Sequence, residues 1–278
     1  MGGLRVIYEG AIIGTGSHLL TGLTFDGRYL YSSAPAEKMI YKLDENGSVL
    51  QKYHTIRSYV GLCYDRVNQC FWAITRESPL YIFRITPQFE EFDRVRITGR
   101  IMAQPRALDL DTGQGCLLMA AGEDLLTVSL SGEVNHRLPI PPATKDFCCF
   151  GGYLVLGGMG LELCNRHMGF IENYGLPANL RVSGVSVLYF SPDRLVCTVL
   201  CTRNHRYNSL LQTVIEPTKP LEQLQHETAL QTALVRPTCA GCPVQGSVSV
   251  GLATLSGILE QLLAALAQSA EPPSYSDR

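Results

Sequence analysis

From Arg5 to about Glu216 the chain alternates apolar and polar positions in short runs separated by turn residues. Alternation over four to eight residues is the mark of a strand with one buried face. In the first unit His18–Asp26 predicts a strand ending at the turn Asp26-Gly27, Arg28–Ser33 a second, Met39–Leu43 a third and Val49–Tyr53 a fourth. Asp44-Glu45-Asn46-Gly47 stands between the last two, and its Asn-Gly pair predicts a tight hairpin with positive φ at both central positions. The same order returns as Tyr59–Asp65, Cys70–Thr75, Leu80–Ile85 and Glu91–Ile97. It returns again as Arg106–Asp111, Cys116–Ala121, Leu125–Leu130 and Val134–Leu138. A more degenerate fourth unit reads Phe147–Phe150, Tyr153–Leu156, Leu161–Asn165 and Phe170–Tyr174. A fifth offers three strands, Gly184–Phe190, Arg194–Cys201 and Leu210–Ile215.

The heads of the first three units share one pattern: a small residue, Leu, any residue, a large apolar residue, Asp. They are Gly22-Leu23-Thr24-Phe25-Asp26, Gly61-Leu62-Cys63-Tyr64-Asp65 and Ala107-Leu108-Asp109-Leu110-Asp111. Turn markers at Asp26, Asp65, Asp111, Gly151 and Asp193 are 39, 46, 40 and 42 residues apart. Four antiparallel strands in roughly 40–45 residues make a propeller blade. The fifth unit lacks a fourth strand, and Arg5–Glu9 is a strand without a unit. An N-terminal strand that completes the last blade covers both free edges. The pattern therefore predicts an all-β fold, a five-bladed β-propeller over residues 4–216, closed by the N-terminal strand and carrying a C-terminal helical extension. Gly22, Gly61, Ala107 and Gly184 stand where inner strands crowd the axis. The repeated Asp starts the turn to the second strand, its side chain bonding the backbone two residues on.

After Pro217 the texture changes. Residues 217–235 read as a helix, 236–246 as a Pro-containing linker, 247–269 as an amphipathic heptad helix and 270–278 as a flexible tail. Val248, Leu252, Leu255, Leu259, Leu262 and Leu266 recur at spacings of 4, 3, 4, 3 and 4, an a/d seam. The seam predicts self-association or packing against the propeller. Glu260 and Gln261 in its interior argue against a membrane span.

Composition narrows the function classes. The chain has 278 residues, 46% hydrophobic and 17% charged, which supports a sizeable core and excludes general disorder. Its formal net charge of -2 gives no positive field for nucleic acid. The Met1-Gly2-Gly3-Leu4-Arg5 start lacks a secretory pattern, and ten Cys are scattered through strand-like runs, so a reduced, cytoplasmic protein is expected. Cys239-x-x-Cys242 lacks the helical context of a redox pair, and a zinc site would need two more ligands, such as Cys197 and Cys201 of the fifth unit, so an ordinary pair of linker thiols is expected. Asp111-Thr112-Gly113 occurs once, without the second carboxylate of a protease dyad. Gly157-Gly158-Met159-Gly160 precedes no helix start, and reads as a hairpin rather than a phosphate cradle. No metal and no cofactor is predicted.

One constellation points to chemistry. In a propeller the segments entering the inner strands share a face with the loops joining second and third strands. The entering segments carry His18, Arg57, Arg106, Lys145 and Arg181, one basic or titratable group per unit. The second set adds Glu37, Arg76, Glu77, Glu123, Asp124, Arg203 and His205. Cations converging on a narrow mouth suit a small anionic ligand or a protein partner; the alternative is that they pair with Glu37, Glu77, Asp109 or Asp146. The expected function is a non-catalytic binding or scaffold protein. The alternative is a hydrolase or lyase acting on a sugar-like or anionic substrate at the same face, with His18, Asp109 or Asp146 handling protons.

The repeated units, from about Arg5 to Glu216, resemble the generic bacterial β-propellers of the NHL-type and quinoprotein-like superfamily in strand order and in their Gly-Leu-x-aromatic-Asp starts. The quinoprotein members carry a tryptophan docking motif in each blade, whereas Trp72 is the single Trp of this chain, so the resemblance carries over no quinone. Five-bladed relatives include glycosidases with acidic channel walls, for which Asp109 and Asp146 would be the counterparts here.

Overall fold

The computed structural model describes residues 3–15, 19–101, 103–203, 207–221 and 223. His18, His205, Cys239, Cys242, the linker, the heptad helix and the tail lie outside the described residues, as does most of the helix expected over 217–235.

Among the described residues, twenty strands form five four-stranded antiparallel sheets. The first blade is β2 (Thr21–Phe25), β3 (Leu30–Ala34), β4 (Met39–Leu43) and β5 (Val49–His54). The second is β6 (Tyr59–Asp65), β7 (Cys70–Thr75), β8 (Tyr81–Ile85) and β9 (Glu91–Arg96). The third is β10 (Pro105–Asp111), β11 (Cys116–Ala121), β12 (Asp124–Ser129) and β13 (Val134–Pro139). The fourth is β14 (Asp146–Phe150), β15 (Tyr153–Gly157), β16 (Gly160–Asn165) and β17 (Phe170–Gly175). The fifth contains β18 (Leu180–Ser191), β19 (Arg194–Arg203), β20 (Tyr207–Glu216) and, as its outer strand, β1 (Gly3–Ala11). The closure expected from the missing strand is thus present: β1 pairs antiparallel with β20 from Gly3–Glu216 to Ala11–Ser209. Arg203 of β19 forms an ion pair with Glu9 of β1 across the same blade.

The core lies between blades rather than within one. Five buried clusters correspond to the five blade interfaces, and each joins the faces of two neighbours. Tyr31 and Ile40 of the first blade pack with Leu62, Phe71 and Phe83 of the second. Leu200 and Leu210 of the fifth pack with Leu20, Leu30 and Tyr41 of the first, which completes the ring. Burial of this apolar surface is the main favourable term in the fold.

The inner strands owe their path to the repeat heads. Register shifts fall at the small residue in four of them, between Thr21/Thr24, Tyr59/Gly61, Pro105/Ala107 and Val182/Gly184. A Cβ on Gly61 would stand 2.7 Å from the Leu108 nitrogen of the next blade, and one on Gly184 2.9 Å from the Gly22 carbonyl carbon. Gly22 has a different reason to be glycine, since its φ is +65°. The repeated Asp makes the turn. Asp26 Oδ1 accepts from the amides of Arg28 and Tyr29 (2.7 Å each), and Asp65 Oδ1 from Val67 and Asn68 (3.0 Å each). Asp111 Oδ1 accepts from Gly113 and Gln114 at 3.1 and 3.2 Å. Asp65 Oδ2 also accepts the indole N–H of Trp72 (3.1 Å), which gives that single Trp a structural role.

A second repeated turn joins the third and fourth strands. Asp44, Thr86, Ser129 and Asn165 each accept, through a side-chain oxygen, the amide four residues on, at 2.7, 3.2, 3.0 and 2.8 Å. The residue just before that amide takes positive φ: Gly47 (81°), Phe89 (65°), Gly132 (93°) and Met168 (62°). At Asp44-Glu45-Asn46-Gly47 the structure differs from the two-residue hairpin expected. Gly47 alone of the Asn-Gly pair has positive φ, and the pairing beside the turn is bulged, with Leu43 opposite Val49 and Lys42 opposite Gln51. This is a longer turn with a bulge, the next most common hairpin connection.

Candidate functional site

All five inner strands run in the same direction, so their starts share one mouth of the channel and their ends share the other. At the entry mouth lies a cavity of about 480 Å³ lined by Arg76, Arg106, Lys145 and Arg181. These four cations come from four segments. Arg106 is the second residue of β10, Arg181 the second of β18, Lys145 immediately precedes β14, and Arg76 follows β7. No carboxylate is among the described residues lining this cavity. Its walls are mostly apolar, with Leu19, Leu20, Val60, Met159 and Val182, and Thr21, Ser183 and Thr202 add hydroxyls.

The cations differ in how far they are engaged. Arg181 donates through Nη1 to the carbonyls of Ala178 (3.1 Å) and Leu180 (2.9 Å). Arg76 donates through Nε to the carbonyl of Pro105, at 3.4 Å. Lys145 is exposed at the rim. Arg106 is half-buried, and its Nε and Nη2 are sealed from solvent without a hydrogen-bond acceptor. Burial lowers its pKa, and only the charge of Glu123 works in the opposite sense. A buried charge without partners is costly, so a guanidinium in this state favours an anion that supplies them.

Arg57 sits elsewhere. It donates through Nε to Glu91 (2.9 Å) and through Nη1 to Glu77 (3.0 Å), within its own blade, and its guanidinium covers the Phe83 ring. It does not line the cavity with Arg106, Lys145 and Arg181. Glu77 and Glu37 border an adjoining groove over the first two blades, which meets the cavity at Leu19, Thr21, Val60 and Arg76. The cavity is therefore lined by cations from blades two to five, with the charge of Glu123 of blade three acting on Arg106, and the groove beside it is mixed in sign.

The two carboxyls considered for proton handling are not at this mouth. Asp146 is 3% exposed and lies in the channel interior. Its Oδ2 accepts from the amides of Leu23 (3.2 Å) in the first blade and Val185 (2.9 Å) in the fifth. One side chain of the fourth blade thus ties three inner strands together across the axis. Burial pushes its pKa up to about 8, against the opposing effect of these amides. Asp109 faces the exit mouth, in a cavity of about 260 Å³ shared with Arg66, Cys148, Cys149 and aromatic side chains including Tyr189 and Phe190. It accepts from the amides of Cys149 (2.6 Å) and Leu110 (2.9 Å), and burial pushes its pKa up to about 6. Burial also holds the Cys148 thiol well above its usual range, so this thiol is not an activated nucleophile. All eight described cysteines are free, and no group of three or more potential metal ligands occurs among the described residues.

The apolar walls of the entry cavity were not apparent as a site from the sequence. The one usable signal is Gly157-Gly158-Met159-Gly160, which forms the β15–β16 hairpin and carries Met159 to the rim. A Cβ on Gly158 would stand 2.7 Å from the Ala143 carbonyl oxygen, so glycine there lets the hairpin lie close against the segment leading to Lys145.

Among solved structures the chain is similar to glutaminyl cyclase from Myxococcus xanthus, at 12% identity and a TM-score of 0.61, with 78% of this chain and 98% of that one covered. A streptogramin B lyase structure also matches, at 10% identity and a TM-score of 0.45, covering 74% of this chain and 97% of that one. No protein-family model matches the chain, and no curated protein matches it. At 12% identity the likeness to the glutaminyl cyclase structure is one of fold.

Proposed function

We propose that this chain is a binding protein that holds a small anionic ligand at the entry mouth of its propeller. The observation that carries the proposal is Arg106: two guanidinium nitrogens sealed without an acceptor, in a cavity with three further cations and no carboxylate among its described lining residues. The separation of parts supports binding over turnover. The cations gather at one mouth, while Asp109 faces the opposite mouth and Asp146 is engaged by backbone amides in the interior. The heptad seam at Val248, Leu252, Leu255, Leu259, Leu262 and Leu266 would serve assembly, bringing several mouths together.

A thermal-shift screen of carboxylated and phosphorylated metabolites against the parent and an Arg106→Ala variant tests the proposal. A ligand at one hundred times its Kd stabilises by about 2.7 kcal/mol, on the order of 5–10 °C for a domain of this size. The expected result is a shift of this order in the parent that disappears in the variant. Anions that shift both proteins equally would overturn the site.

A further inference from the structure

We infer that the ligand of the entry cavity is an amphipathic organic monoanion: one carboxylate held by Arg106, joined to an apolar acyl or aryl body. The inference rests on the anion-site reading above and narrows it. Three features of the cavity distinguish this class from inorganic phosphate and from polycarboxylates.

The first is the pair of atoms left without acceptors. Nε and Nη2 of Arg106 form one edge of the guanidinium, with two N–H bonds pointing the same way. Both nitrogens are sealed from solvent as the side chain stands, so a carboxylate engages this edge, which matches its two oxygens in a bidentate pair, once the guanidinium turns toward the cavity. The second is the division of labour among the other cations. Arg181 and Arg76 already donate to backbone carbonyls, and Lys145 lies at the exposed rim. Their charge raises the local potential, but Arg106 is the fork with both of its donors left over. The third is the wall. Leu20, Val60 and Val182 line the cavity, and Leu19 and Met159, 42% and 60% exposed, stand large and apolar at its mouth. A volume of about 480 Å³ is far more than a carboxylate needs and falls within the roughly 300–1,000 Å³ of small-molecule pockets. Phosphate would leave these walls unused, and a polycarboxylate would press further charge against them.

Isothermal titration with acetate, butanoate, hexanoate and octanoate tests the class, alongside octanol, octylamine, citrate and inorganic phosphate. The full chain is used throughout, as the parent and as Arg106→Ala, Arg106→Lys and Met159→Gln, with folding checked by circular dichroism. Affinity is expected to rise roughly fourfold per added methylene until the cavity fills. Octanol and octylamine should bind at least about tenfold more weakly than octanoate, since neither matches the fork. Arg106→Ala should weaken octanoate at least about tenfold, and Arg106→Lys should weaken it too, because an ammonium keeps the charge and loses the edge. Met159→Gln should flatten the chain-length slope while leaving acetate unchanged. Citrate or phosphate binding more tightly than octanoate, with dependence on Arg106, would overturn the amphipathic class and leave the anion site standing. Probes that bind without dependence on Arg106, or no binding by any probe, would overturn both.

Discussion

Asp146 offers the sharpest test of how this ring is held together, because its single carboxyl serves amides from two other blades. Replacing it by Ala would leave the Leu23 and Val185 N–H groups, donors at 3.2 and 2.9 Å in the native fold, buried without an acceptor. Each buried donor left unsatisfied costs about 1–3 kcal/mol, so Asp146→Ala should lose about 2–6 kcal/mol. Asp146→Asn keeps an oxygen in place for both amides and should lose much less. The two variants also separate structure from charge. Burial raises the folded pKa of Asp146 from 3.8 to about 8, so between these values the unfolded chain has released a proton that the folded chain still holds. Stability of the parent should therefore fall as pH rises through this window, by up to about 1.4 kcal/mol per pH unit for one proton. Asp109, raised to about 6, adds a slope of the same sign below that value. The two carboxyls interact, so the measured transitions belong to the pair. Urea unfolding of parent, Asp146→Asn and Asp146→Ala from pH 4.5 to 8.5 reads both effects. Asp146→Asn should show a shallower pH slope and gain on the parent as pH rises. An Asp146→Ala cost below about 1 kcal/mol would refute the three-strand tie, and equal pH slopes in parent and Asn variant would refute the protonated interior carboxyl.

Three further outcomes follow from the geometry. Gly61→Val should destabilise by about 1–3 kcal/mol in urea unfolding, because its Cβ would meet the Leu108 nitrogen at 2.7 Å and the neighbouring backbone cannot yield as a side chain would. Deleting residues 1–11 should expose the β20 edge and produce concentration-dependent aggregates in size-exclusion chromatography; a soluble, fully folded truncation would show that β1 is dispensable for closure. Changing Leu255 and Leu259 to Gln should reduce the mass seen by light scattering if the heptad seam drives assembly, and an unchanged mass would remove that role.

The fold was legible because its signals are local and repeated. Asp26, Asp65 and Asp111 announce their turns within three residues, and the spacing of those turns sets the blade. The orphan strand at the N-terminus and the missing strand at the end of blade five are a deduction from counting, and the β1–β20 pairing is its physical outcome. The second turn family was equally local but harder to see, since Asp44, Thr86, Ser129 and Asn165 share only an oxygen at the right distance, and Phe89 and Met168 take positive φ where Gly47 and Gly132 do so more easily. The site was legible only as a list of cations. Which cation stays unpaired depends on contacts that no period encodes. Arg57 finds Glu91, from the first position of β9, and Glu77 from the loop after β7. Arg106, the second residue of β10 in the next blade, feels Glu123 without a bond to it. Likewise Asp146 reads as a polar residue before an apolar run, and its partners Leu23 and Val185 lie 123 and 39 residues away.

This difference between Arg57 and Arg106 bears on the anion site proposed for the entry mouth. A propeller delivers the starts of all its inner strands to one small area, so any charges there face each other whether or not they are useful. The simplest way to stabilise such a mouth is to pair each cation with acids of its own blade, which is what blade two does with Glu77 and Glu91. Blades three to five do otherwise: Arg106, Lys145 and Arg181 line one cavity with Arg76. Leaving a half-buried guanidinium without acceptors lowers the stability of the empty protein, and an acid within reach of Arg106 would have removed that cost. Met159→Glu would place a carboxylate in the lining of that same cavity. It should raise the stability of the empty chain while abolishing anion binding, the two effects together marking the cavity as a place where stability is set aside for a ligand.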